Sequence, residues 1–369
     1  MIDHTVQEIQ MRRRIISAGI ASLAAYLVIA LFNPAGTLEY STEMKEASQL
    51  MAGALKRIGE HRESAGDGIN ATIDLNRTGV IGAPLSELMT TIGHLEAKRT
   101  TTNPNMAGLM VYLMQRSGVA KGDTIAVGCS ASFPALLIAV LSAAEAMEVH
   151  PVVIISLGAS SYGATAPDFN LLDIYERLLE WDFIKSSPAA ISLGGGRDVG
   201  EEFDPASKVL LIQRIRSVDL PLIIEPDLQR NVTQRMQIYG SSGEVSAFVN
   251  IGGGYANMGI STRVLRLKPG INYSVPMPPQ EQKGVIHEMA SAGIPVVHLL
   301  NIRSLITTYG LPWDPVPLPS LQSASLSIPN SGRGVLFWLV TFLYLAGLTW
   351  LIIPIIRFER RGPLHYYRN

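Results

Sequence analysis

One cysteine in 369 residues, Cys129, leaves no internal disulfide and no thiolate zinc site to build a fold around. It reads as a small buried apolar residue, with a reactive thiol as the alternative. Charge is scarce as well. Only 17% of residues are charged, and a net charge of −1 excludes the basic footprint of a nucleic-acid binder. Scarce charge beside 47% hydrophobic residues also excludes a disordered chain. No G-x-x-x-x-G-K-[ST] loop is present, which argues against a Walker-type nucleotide site. His287-Glu288 opens like H-E-x-x-H, but Ser291 stands where the second histidine belongs, so no metal or other cofactor is expected.

What the chain does have is two long apolar runs, one at each end. Residues 15–32 (IISAGIASLAAYLVIALF) and 335–356 (VLFWLVTFLYLAGLTWLIIPII) carry no charge. At about 1.5 Å per helical residue they reach roughly 27 and 33 Å, the thickness of a bilayer core. Arg12, Arg13 and Arg14 precede the first run, and Arg357, Arg360 and Arg361 follow the second. Basic flanks stay on the cytoplasmic side. The expected layout is a cytoplasmic N-terminus (1–14), a span (15–32), an extracytoplasmic middle, a second span (335–356) and a cytoplasmic tail (357–369). A cleaved signal peptide is the alternative for the first run. Its length exceeds the usual ~7–15 apolar residues, and no clear A-x-A site follows.

Residues 38–62 repeat apolar positions at helical spacing (Met44, Ala47, Leu50, Met51, Ala54, Leu55, Ile58) and read as a stalk or as the first helix of the middle part. From Asn103 onward helical stretches alternate with short apolar runs such as TIAVG (124–128), PVVIIS (151–156), AAISL (189–193), PLIIE (221–225), SAFVNI (246–251) and IPVVHL (294–299). Continuous apolar strands between helices signal a parallel sheet covered on both faces. The expected fold class is α/β, a three-layer domain over 65–315 with a mainly parallel sheet, flanked by one transmembrane helix at each end. A Pro/Ser-rich linker (316–333) leads out of it.

Ligands of open parallel sheets bind at the carboxyl ends of the strands. Four loops lie there in sequence: Gly128 to Ser132, Gly194-Gly195-Gly196-Arg197, Gly252-Gly253-Gly254, and His298 to Asn301. Glycine lets backbone N–H groups approach an anion closely, and a following helix N-terminus favours negative charge. The candidate ligand-binding residues are therefore Gly128, Ser130, Ser132, Gly194, Gly195, Gly196, Arg197, Gly252, Gly253 and Gly254, with plain tight turns as the alternative. Gly128-x-Ser130-x-Ser132 also approaches the nucleophile elbow G-x-S-x-G. Asp227 and His298 follow in the Ser–Asp–His order of the α/β-hydrolases, so Ser130, Asp227 and His298 form a candidate catalytic set. Against it, Ser130 and Ser132 are equally suited to capping a helix. Thr100 to Thr102, after Lys98 and Arg99, read as a solvated loop or an anion-facing one.

The two end runs enclose GHLEAKRTTTNPN (93–105), VGCSASFPAL (127–136), SLGGGRD (192–198), FVNIGGGYANMG (248–259) and YGLPWDPVP (309–317). This arrangement resembles the bacterial poly-gamma-glutamate system protein family over most of the chain. The resemblance implies an accessory membrane component of poly-γ-glutamate synthesis or export, located in the cell membrane. Its implied partners are the membrane, the synthase and export proteins, and the anionic polymer or a small carboxylate ligand. It implies no catalytic residues. A membrane-anchored serine hydrolase acting on the polymer and a small-anion sensor are the alternatives.

Overall fold

In this computed structural model the structure describes residues 2–32, 36–66, 69–321, 325–328 and 335–359. The chain divides into two units, Met1–Thr37 with Ser327–Asn369, and Leu38–Leu326.

The first unit contains helix α1 (Ile2–Phe32) and, from the other end of the chain, α12 (Val335–Glu359). They touch: Ser22 Oγ and Tyr344 OH lie 2.9 Å apart. Large apolar side chains on both stay exposed, among them Ile16, Ile20, Leu23 and Tyr26 on α1 and Trp338, Phe342, Leu343 and Trp350 on α12. Among the described residues no helix is long and apolar enough to cross a membrane. The expected spans 15–32 and 335–356 fall on these helices. The side chains of 29–32, 335–336 and 354–356, and the tail from 360, lie outside the described residues.

The second unit runs α2 (Thr42–Ala65), β2 (Met89–Thr91), α3 (Leu95–Thr101), α4 (Asn105–Arg116), β3 (Thr124–Ser130), α5 (Pro134–Met147), β4 (His150–Ser156), β5 (Ala159–Ser160), α6 (Leu171–Glu180), β6 (Ala190–Ser192), α7 (Pro205–Ser217), β7 (Leu222–Ile223), α8 (Leu228–Gly240), β8 (Val245–Ile251), α9 (Tyr255–Met258), β9 (Gly270–Asn272), α10 (Val285–Ser291), β10 (Val296–Leu299) and α11 (Ile302–Tyr309). Two further strands, β1 (Gly36–Glu39) and β11 (Ser325–Ile328), pair with each other. The expected linker 316–333 thus contains a strand.

Seven strands make one sheet in the order β7-β6-β4-β3-β8-β10-β9. Every neighbouring pair is parallel except β9, which runs antiparallel to β10 at the edge. The expected α/β fold with a mainly parallel sheet is present.

The layers follow from the two-residue period of a strand. On β3, Ile125, Val127 and Cys129 join an apolar cluster with α2, α4 and α5, while Ala126 joins a second cluster with α8 and α10. On β4, Val153 and Ile155 join the first cluster and Val152 and Ile154 the second. Helix α5 (PALLIAVLSAAEAM) is buried almost all round, as an apolar sequence without a polar stripe requires. Residues 38–62 prove to be core wall: Met44, Ala47, Met51, Ala54, Leu55 and Ile58 of α2 are all buried in the first cluster. Burying each Met, Leu or Ile contributes roughly 1.5–3 kcal/mol, which ties this helix to the sheet domain.

Candidate functional site

The chain leaves β3 to build β4, β6 and β7 on one side, then returns to β8 on the other side of β3. Such a reversal opens a crevice at the carboxyl ends of the two strands. A cavity of about 1010 Å³ lies there. Its walls are the loops after β3, β6, β8 and β10, together with Thr90–His94, Glu96–Lys98, Gly158, Ser160, Glu202, Arg303 and Trp313.

Of the ten candidate binding residues, Ser130, Ser132, Gly194, Gly195, Gly196, Gly253 and Gly254 line this cavity. Three do not. Gly128 lies inside β3, where a Cβ would meet Asn257 Nδ2 at 2.4 Å, so it serves packing. Gly252 stands behind Ser130 at φ +80°, and a Cβ there would meet Ser130 Oγ at 2.3 Å. Arg197 is bound by Glu201, Nε to Oε1 at 2.6 Å, and is engaged away from the cavity. The nest at Gly194–Gly196 already holds a carboxylate: the Gly196 N–H donates to Glu202 Oε1 and Oε2 at 3.0 and 2.9 Å.

The structure does not assemble Ser130, Asp227 and His298 into a triad. Strand β3 continues to Ser130, so the serine ends a strand and does not form the apex of a sharp turn. Asp227 caps α8, accepting from the Arg230 N–H at 2.9 Å, and is exposed. His298 is buried, with Nδ1 3.1 Å from Asn250 Nδ2, and burial pushes its pKa down to about 4. Asp227 and His298 are not among the lining residues. Thr100, Thr101 and Thr102 are buried and donate to the carbonyls of Glu96, Lys98 and Arg99, so they face neither solvent nor an anion.

Two polar features of the site stand out: a serine from the Gly128-x-Ser130-x-Ser132 segment, and a lysine without a clear sequence signal. Ser130 Oγ is buried and has no hydrogen-bond partner among the described residues. Lys98 is only 2% exposed, yet among the described residues no acidic group holds it. Its Nζ donates to Ser132 O, lies 2.7 Å from Ser160 Oγ and sits 4.0 Å from the Phe133 ring centroid. Burial without a counter-charge pushes its pKa down to about 7.

Beneath the floor lies a buried ion pair, Arg235 Nη2 to Asp198 Oδ2 at 2.6 Å. Ser192 Oγ donates to Asp198 Oδ1 at 2.8 Å, Asn231 Nδ2 donates to Oδ2 at 3.0 Å, and Arg235 also donates to Ser192 Oγ at 2.8 Å. Ser156, a lining residue, is 2.7 Å from Ser192. This network fixes the strand ends on which the crevice stands. At the rim, the Arg303 guanidinium stacks over Trp313 at 5.1 Å, and no ion pair of Arg303 is found among the described residues. Among the described residues no His/Cys/Asp/Glu cluster could hold a metal ion.

The chain matches no protein-family model, no curated protein and no solved structure.

Proposed function

We propose that the α/β unit binds a carboxylate-bearing ligand in the switch-point crevice, and that the protein is a membrane-anchored accessory component of poly-γ-glutamate synthesis or export. The observation that carries the binding reading is Ser130. A buried hydroxyl left without a partner costs about 1–3 kcal/mol, which a ligand seated in the crevice recovers. Arg303 at the rim and the glycine loops at Gly253 and Gly254 supply donors for carboxylates. The chain is mildly acidic overall, so a polyanion must be held by such local groups. The resemblance given above supplies the polymer.

Membrane anchorage rests on the two uncharged end runs, their arginine flanks and the exposed apolar surface of α1 and α12. On this reading both termini are cytoplasmic and the crevice faces outward.

The test uses full-length protein in detergent micelles, titrated with γ-linked glutamate oligomers and, separately, α-linked ones. Binding of the γ-linked oligomers, weakened at least tenfold by Ser130→Ala or Arg303→Ala, is the expected result. Deleting the gene should abolish surface polymer and leave ligase activity in extracts intact. Absence of oligomer binding together with unchanged surface polymer overturns the reading.

A further inference from the structure

The crevice holds a lysine and a serine arranged for chemistry that simple binding does not need. Lys98 enters from α3 and Ser160 from the end of β5. Both line the cavity. A lysine withdrawn from water would ordinarily be paired with a carboxylate. Here its neighbours are a carbonyl, a hydroxyl and an aromatic ring.

The surroundings hold Ser160 in position at the cavity wall. The Ser160 N–H donates to Ser132 Oγ at 3.0 Å, and β5 pairs with β2 through Ser160 and Thr91. Gly93 packs against this segment: a Cβ there would meet Ser161 O at 2.6 Å and Ser160 Oγ at 3.0 Å, so no side chain fits beside the serine. Ser132 O accepts one N–H of Lys98, which orients the amine. In its neutral form the amine then has a lone pair for the hydroxyl proton of Ser160.

We propose that Ser160 and Lys98 are a nucleophile–base pair for acyl transfer on an amide or ester substrate that carries carboxylates. The inference rests on the crevice being the ligand site. Ser160 Oγ attacks the substrate carbonyl carbon and forms a C–O bond while its proton passes to Lys98 Nζ. The tetrahedral intermediate collapses, the C–N or C–O bond to the leaving group breaks, and Lys98 returns the proton to the departing amine or alcohol. Water then attacks the acyl-serine. Lys98 takes the water proton and delivers it to Ser160 Oγ as the acid is released. One water is consumed for each bond cleaved, and an acceptor amine in place of water gives transfer. Ser130 is not the nucleophile in this scheme, because among the described residues no base lies within hydrogen-bond reach of its hydroxyl.

The depressed ionisation of Lys98 gives the test its pH signature. The amine is a free base above about pH 7, in the range where a general base works best. Full-length wild-type protein in detergent micelles is treated separately with an alkyl fluorophosphonate and with p-nitrophenyl acetate, and the modified residue is identified by peptide mass mapping. The expected adduct is on Ser160 with at least one reagent, formed at a rate that falls about tenfold per pH unit below 7. Ser160→Ala abolishes it. Lys98→Met slows it at least 100-fold at pH 8 and removes the pH dependence. Adducts only on other residues, no adduct with either reagent, or a Ser160 adduct whose rate is flat between about pH 5.5 and 8 overturns the proposal. The pH profile needs only the wild-type protein, so it stands even if Lys98→Met does not fold. Oligomer binding without acylation defeats this proposal alone; acylation without oligomer binding defeats only the polymer reading.

Discussion

Lys98 should leave a mark on stability that can be read without any ligand. In the unfolded chain its amine titrates near 10.5, whereas in the folded protein burial moves it to about 7. Between these values the unfolded state holds a proton that the folded state has released, so stability rises with pH. The slope is about 1.4 kcal/mol per pH unit, and the whole shift amounts to about 5 kcal/mol. This is a cost of folding, fully present below pH 7 and gone above about 10.5. From pH 7 to 9 the wild-type protein should gain about 2 kcal/mol from this group. Lys98→Met removes the cost together with two hydrogen bonds of about 1 kcal/mol each. The variant should therefore be more stable at pH 7, by about 2 kcal/mol, with the difference vanishing near pH 9. Buried Cys129, Tyr175 and Tyr239 are all pushed upward by burial, so stability declines once the unfolded chain begins to lose those protons, above about pH 9. That decline is common to both proteins and cancels in the difference. Urea unfolding of the full-length chain in detergent, followed by the fluorescence of Trp181 and Trp313, measures it. Parallel stability curves for wild type and Lys98→Met across pH 7–9 would refute the reasoning, because they would show that Lys98 keeps its proton on folding.

Glu202→Gln removes the carboxylate seated on the Gly196 N–H, and should tighten the binding of an anionic ligand about threefold to tenfold by titration calorimetry. Arg235→Met strands the Asp198 carboxylate in the interior and should cost about 3–5 kcal/mol in urea unfolding, with most of the loss recovered when Asp198→Asn is added. His298 is neutral when folded and titrates near 4, against 6.5 when unfolded, so stability should fall by about 3 kcal/mol between pH 6.5 and 4. His298→Gln should flatten that acid limb.

The sheet was legible because its signal is local. Runs such as PVVIIS and SAFVNI are apolar on successive residues, and a strand buried on both faces has no alternative. The observed strands His150–Ser156 and Val245–Ile251 differ from those readings by one residue each. Elements made by long-range pairing were not legible. Strands β2 and β5 are three and two residues long and exist because Met89 and Ala159 meet across 70 positions of chain. The antiparallel edge β9 is likewise three residues long. No periodicity can be read from segments so short.

The site divides along the same line. The loops at strand ends were found by a rule of topology, and most of their residues line the crevice. Asp227 shows the limit of the rule: an Asp just before a helix has the chemistry of a general acid–base partner and of an N-cap alike, and only the hydrogen bond to Arg230 decides for the cap. Lys98 is the reverse case. HLEAKR carries acidic and basic residues close together, the pattern of a solvated helix turn. What buries Lys98 lies elsewhere in the chain, in Phe133, Ser132 and Ser160, and of these only Ser132 carries a sequence signal. A site built from one residue on α3, one on β5 and a carbonyl after β3 comes into being only when the small β2–β5 pair closes over the end of the main sheet. The group with the most distinctive chemistry in the crevice is therefore the one whose local sequence says least about it.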